Sequence, residues 1–443
     1  MAHKYPKDLV FELLALWREG KDSATAEAKR KTEEFRRLPD FDVLEQLVSI
    51  CYQVSQLREE ERGLRFRLML CEPDDIDRDG SGEQQGLFTL SFDEPRPFNE
   101  YELLKLGPST DYKNSLIGIR YTRAEGLQIW GMIHSGSRWM HAIHGGSKQA
   151  TPLPKALGIN VVGPGRIILC RGLEILAQLS GGNIISPSTN VFQSEWVTRR
   201  FAQVRKELSM LHGRNAGSST DHWAKIDPAF FPSLYTQFLK HVISTVRSSG
   251  HGGTVISFPA GMDELVAHDN PYIDVKYRFS ENGARNQLRN VVLQITEVLA
   301  RSCGKLYGPE YVAGWNDYVT LQTRELAQLD ERVFKFARFI ARMAGVDGAV
   351  VTTEGLEIIG FGGIIQGTME MGGSVAKAFD PEGVQREIER VESVGTRHRS
   401  LYYLCNKLQN ILGIIVSQDA KVRIVTWNKD MVTCWDLIPI DFT

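Results

Sequence analysis

Apolar residues recur every three or four positions in "DLVFELLALW" (8–17) and "FDVLEQLVSICYQVSQL" (41–57), with charged side chains between them. That spacing puts one apolar stripe on a helix, so residues 5–70 read as helices. "CEPDDIDRDGSGEQQG" (71–86) is acidic and polar and reads as a loop or linker. Its acids do not place a glutamate twelve positions after a first ligand in register, which sets aside a calcium loop. From 87 to 185 the texture turns to short β-type runs, among them "GLFTLSF", "SLIGIRYT", "LQIWGMIHSG", "INVVG", "GRIILCRG" and "NIIS", divided by Gly, Pro and Ser. Residues 191–213 return to a helical pattern, and "GRNAGSSTDH" (213–222) reads as a connector. "FFPSLYTQFLKHVISTVRSSGHGGTVISFP" (230–259) then predicts a helix, a glycine-rich turn and a buried strand, which opens an α/β region. Residues 284–343 are mostly helical in pattern, and strand and helix alternate from there to the end. No internal repeat or low-complexity tract stands out.

This order predicts a mixed α/β fold in three parts: a helical region with its acidic linker (1–86), a β-rich region (87–225), and an α/β region (226–443). A chain of 443 residues exceeds what one simple core supports, which agrees with several domains. With 42% apolar and 24% charged residues the composition is that of an ordinary globular protein. A net charge of −2 argues against a general nucleic-acid or membrane binder, since neither partner is expected without a basic excess. The six cysteines are scattered, with no paired spacing, as in reduced thiols of a cytoplasmic protein. The first twenty residues lack the unbroken apolar core of a signal peptide, and no run approaches 18 apolar residues; a cytoplasmic protein without a membrane span is expected. His134, His141, His144 and His251 fit no zinc spacing. Trp130 and Trp139, in the β-rich part, are expected to pack in a core rather than line a sensor pocket.

Candidate chemistry lies near the C-terminal end. In "AGVDGAVVTTEGLEIIGFGGII" (344–365), Asp347-Gly348 precedes an apolar strand beginning at Ala349; a turn follows at Glu354-Gly355, then a second strand carrying Gly362-Gly363. A hairpin accounts for the pattern, and an acid before a buried strand, beside a glycine, also suits close approach of a ligand. In "VGTRHRSLYYL" (394–404), Gly395-Thr396 supply a turn and an N-cap, and Arg397-His398-Arg399 open a helix with Leu401, Leu404, Cys405 and Leu408 on its apolar face. Cations at a helix N-terminus oppose the dipole unless an anion answers them, so this cluster reads either as a phosphate site or as a solvated basic helix start. "ILGIIVSQDAKVRIV" (411–425) reads as strand, tight turn and strand, with Ser417 and Asp419 at the turn. Asp347 and Asp419 are the hard oxygen donors that magnesium or manganese prefer.

Asp347-Gly348-Ala349, then Thr396-Arg397-His398-Arg399 about fifty residues on, then Ser417-Gln418-Asp419 at a strand end, resembles the diadenylate cyclase domain family. The resemblance covers roughly 230–443, with an extra helical stretch near 284–330. One departure is visible: many members carry two glutamates after the serine, where this chain has Gln418 and Asp419. The resemblance implies a central mixed sheet flanked by helices, and condensation of two ATP into cyclic di-AMP with release of pyrophosphate. It implies one ATP per domain and a homo-oligomer with cyclase domains face to face, since one protomer cannot close the ring. Implied roles are metal binding or hydroxyl activation by Asp347, a second Mg2+ or Mn2+ ligand in Asp419, and phosphate gripping by Thr396, Arg397, His398 and Arg399. Gly348, Ala349, Gly362, Gly363 and Ser417 would line the nucleotide. His398, between two arginines, is expected to stay neutral. The first 225 residues resemble sensor regions fused to such cyclases. The alternative is a non-catalytic nucleotide-binding sensor module with a cyclase-like fold.

Overall fold

A computed structural model describes residues 3–18, 38–59, 61–77, 87–136, 153–186, 191–217, 223–259, 267, 270–280, 283–321, 323–370, 372–418 and 421–437. The described residues fall into two compact units, one ending at residue 186 and the other beginning at 191. The helices after residue 191 therefore belong with the C-terminal strands.

The first unit carries helices α1 (Pro6–Arg18) and α2 (Phe41–Gln56). Its sheet holds β1 (Phe66–Leu70), β2 (Phe88–Pro97), β3 (Ser115–Thr122), β4 (Gly126–His134), β5 (Leu157–Gly163), β6 (Arg166–Arg171), β7 (Glu174–Ser180) and β8 (Asn183–Ile185). The strand order is β8-β7-β6-β5-β1-β3-β4-β2. Leu9, Leu13, Leu44 and Leu47 of the helices join Phe66, Leu68, Ile159 and Leu169 in one core. β2 contains Pro95 and Pro97 and lies at the sheet edge, the place where a missing N–H costs no ladder bond. Helix expected as far as residue 70 is overturned at Phe66–Leu70, a buried strand parallel to β3 and antiparallel to β5. A five-residue run with four apolar residues around Arg67 carries no decisive period, and pairing on both sides settles its form. Asp74–Asp77 form one helical turn within the expected linker, and Glu100–Leu106 form a short helix that the β-type texture concealed. Trp130 packs as expected: it is buried, donates from Nε1 to the Cys71 carbonyl at 2.7 Å, and covers Gly118. Trp139, His141 and His144 lie outside the described residues.

The second unit contains α3 (Glu195–Arg200), α4 (Ala202–Gly217), α5 (Phe230–Ser248), α6 (Gln287–Tyr307), α7 (Arg324–Ala344) and α8 (Thr396–Lys407). Its sheet holds β9 (Gly253–Phe258), β10 (Ile273–Arg278), β11 (Ala349–Thr353), β12 (Ile358–Ile365), β13 (Ser374–Ala378), β14 (Arg386–Arg390), β15 (Leu412–Val416), β16 (Val422–Asn428) and β17 (Met431–Leu437). The order is β10-β12-β11-β9-β15-β16-β17-β13-β14, mixed, with β9 parallel to β11 and antiparallel to β15. Neighbouring residues on the central strands serve opposite faces, as strand geometry requires. Val255, Val350, Ile414 and Ile424 pack with α5, α6 and α7. Ile256, Val351, Ile415 and Val425 pack with Leu401, Leu404 and Cys405 of α8. A sheet buried on both faces explains the unbroken apolar runs "TVISF" and "LGIIV".

Candidate functional site

The sheet register brings distant segments to one edge. Thr254 pairs with Ala349, Gly253 with Val416, and Ala349 with Gly363. Asp347-Gly348 entering β11, Gly252 entering β9 and Ser417 leaving β15 thus meet at the same end of three adjacent strands. Gly348 adopts φ 105°, and a Cβ there would stand 2.6 Å from the Gly362 carbonyl carbon and 2.9 Å from the Gly363 nitrogen. Only glycine lets these two backbones touch. Asp347 is exposed, and among the described residues none hydrogen-bonds its carboxylate. Ala349 is buried in the first rung of β11.

Helix α8 brings the basic cluster to the same edge. Its N-cap is Gly395, not Thr396, and no side-chain acceptor closes the first turn. Free N–H groups at that position favour an anion. Arg397 lies over Gly252: a Cβ on that glycine, which has φ 64°, would be 3.1 Å from Arg397 Nη1 and 2.7 Å from the Val416 carbonyl oxygen. The Arg397 guanidinium makes no hydrogen bond to a described residue. Arg399 reaches back from Nη2 to Thr396 Oγ1 at 3.4 Å, and its carbonyl accepts from the Met369 N–H at 3.2 Å. Ser417 closes the tight turn: its hydroxyl accepts from the Lys421 N–H and donates to the Lys421 carbonyl, both at 3.1 Å.

His398 faces elsewhere. Its ring meets Tyr402 edge-on at 6.2 Å, beside a charged network on β14, β16 and β17. There Arg423 donates to Tyr402 Oη at 2.6 Å, Asp436 Oδ1 at 2.6 Å and Glu389 Oε1 at 3.1 Å, and Lys377 pairs with Asp436 at 2.9 Å. Burial holds the His398 pKa below the ordinary histidine range, and the positive charge of Arg423 adds to it, partly offset by Glu389 and Asp436. The neutral state expected from the flanking arginines therefore has a different main cause, with Arg397 a minor contributor. Burial opposes the charge on Arg423, but its hydrogen bond to Asp436 and neighbouring negative groups outweigh that and hold it firmly protonated.

The carboxylate set for a cation is partly in view. Asp347 is an accessible hard donor of the kind that, with phosphate oxygens, suffices for magnesium. Among the described residues no three His, Cys, Asp or Glu side chains gather as a metal cluster, and Asp419 lies outside the described residues. Sequence reading gave no role to Gly252, although the "GHGG" turn before a buried strand was a signal for it. It also passed over Tyr402, Glu389 and Arg423; Tyr402, one helical turn after His398, was the available clue. His251 is exposed in the same glycine-rich turn, and His134 stacks on Phe88 at 4.8 Å.

Residues 33–134, less than a quarter of the chain, match the family model described as "probable sensor domain DACNV". The match spans α2 and β1 through β4 of the first unit. No curated protein matches the chain. Among the described residues no helix is long and apolar enough to cross a membrane.

Proposed function

We propose that the second unit is a diadenylate cyclase, joining two ATP into cyclic di-AMP and releasing two pyrophosphates, under control of the N-terminal sensor unit. The observation that carries this reading is the meeting of Gly348, Gly362-Gly363, Gly252, Arg397 and the glycine-capped start of α8 at one sheet end. The match of residues 33–134 to a sensor domain of a kind associated with diadenylate cyclases supports it. In this reading the triphosphate lies against the first turn of α8, where Arg397 grips phosphate oxygens with two N–H groups and the helix dipole assists. The paired glycine backbones of β11 and β12 let the nucleotide approach where a side chain would clash. Asp347 would hold Mg2+ or Mn2+, with Asp419 as second ligand; the bound ion neutralises phosphate charge and makes the 3′-hydroxyl more acidic. The attacking hydroxyl comes from the ATP of a facing protomer, so activity requires an assembly that opposes two sites. His398, held neutral beside Tyr402 and Arg423, orients the start of α8 rather than carrying charge to the phosphates.

Purified protein incubated with ATP and manganese should yield cyclic di-AMP by mass spectrometry, and Asp347→Asn should abolish it without lowering the melting temperature. Binding of ATP without product at any protein concentration would leave a non-catalytic nucleotide-binding module instead.

A further inference from the structure

On the face of the N-terminal sheet turned away from α1 and α2, the register sets Arg67 beside Asn160, Asn160 beside Ile168, and Ile168 beside Gln178. One row across β1, β5, β6 and β7 thus carries three polar side chains, none more than 2% exposed. Asn160 Nδ2 lies 3.3 Å from Cys170 Sγ on the same face. Tyr112 packs against Val162, Ile168 and Cys170, with the Arg67 guanidinium 6.0 Å from its ring centre. Arg67 donates from Nη2 to Ser135 Oγ at 2.9 Å and toward the Ser115 carbonyl at 3.4 Å. Arg65 immediately precedes β1, and Arg166 opens β6 opposite Gly163, so two further guanidinium groups stand at this end of the row. The charges of all three arginines reach the Tyr112 hydroxyl.

Two features do not suit a plain core. Both amide atoms of Gln178 are buried without a hydrogen-bond partner among the described residues, and so is the Tyr112 hydroxyl. Leaving such groups without hydrogen bonds costs stability, which is why native interiors rarely hold them. Three guanidinium groups also gather round the Tyr112 hydroxyl, and burial brings the Arg67 pKa down to about 10.

We propose that this face is a ligand site of the first unit and takes a small anion that also offers hydrogen-bonding groups. Arg65, Arg67 and Arg166 would meet its negative charge; the Tyr112 hydroxyl and the Gln178 amide would meet its neutral polar end. A phosphate or a carboxylate would serve the arginines equally, and the test separates them. The site is independent of the cyclase reading, since every residue in it belongs to the first unit.

The experiment is thermal melting of the full chain carrying Arg397→Ala, which removes the C-terminal anion grip, with inorganic phosphate and, separately, with citrate. A saturable rise of at least about 2 °C with one of them is expected, and which one identifies the anion class. Gln178→Leu and Tyr112→Phe remove atoms that have no partner among the described residues, so each should melt at or above the parent without anion and lose the response. No rise with either anion, or a rise kept in both variants, would overturn the proposal. Lower melting of Gln178→Leu in the absence of anion would overturn it too, because the amide would then have an internal partner.

Discussion

The Arg397 guanidinium rests on the backbone of Gly252, with Nη1 3.1 Å from where a Cβ on that glycine would stand. A helix start and a strand start far apart in the chain thereby share one contact. The same hypothetical Cβ would lie 2.7 Å from the Val416 carbonyl oxygen, so the glycine also sets how closely β9 and β15 approach.

Gly252→Ala should therefore lose stability and nucleotide affinity together. The left-handed backbone and the clash with a carbonyl together cost roughly 1–3 kcal/mol, read by urea unfolding. Gly250→Ala is the matched control: its φ is 71°, yet nothing lies within 4 Å of the added carbon. It should cost less and leave ATP binding by calorimetry unchanged. Equal effects of the two substitutions would show that the Arg397 contact does not matter.

Arg397→Ala should weaken ATP binding about 10- to 100-fold, the worth of about 1.5–3 kcal/mol for hydrogen bonds to a charged group. Melting should barely move, because the guanidinium makes no hydrogen bond to a described residue. Arg397→Lys should recover only part of the affinity, since an ammonium cannot make the planar two-point contact.

Arg423→Gln should destabilise the second unit by about 3 kcal/mol, because Glu389 and Asp436 would both lose the guanidinium, with Asp436 keeping Lys377. The lower end of the range for a broken buried pair applies, as Asp436 is 38% exposed while Arg423 is 13% exposed. Arg386→Gln breaks a pair with Asp430 whose acid is 63% exposed, and should leave unfolding nearly unchanged. A similar loss in both variants would mean that the Arg423 network adds nothing beyond a surface pair.

His398 gives a pH dependence of fixed sign. Its pKa in the folded protein lies below the unfolded value, so the folded state prefers the neutral ring. Stability from this group is present above the unfolded pKa of about 6.5 and is lost as pH falls toward the folded pKa. His398→Gln should thus flatten the drop in melting temperature between about pH 7 and about pH 5. A steeper drop in the variant would mean that burial does not keep the ring neutral.

Much of the C-terminal unit was legible from pattern alone. The helix at 230–248, the strand at 253–258, the 349–365 hairpin and the helix at 396–407 announce themselves by period, length and glycine punctuation, which are local properties. The strand Phe66–Leu70 was not legible, because four apolar residues around Arg67 satisfy either period until neighbours bond to both edges. The site divides in the same way. Sequence singled out the candidate residues, namely Asp347, the glycines at 348, 362 and 363, and the basic triplet, since residue type and motif order depend on the chain alone. Only the tertiary structure decided how those residues are divided. It set Arg397 over Gly252 and turned His398 toward Tyr402 and Arg423, because adjacent residues on a helix point about 100° apart and what each meets depends on strands distant in sequence.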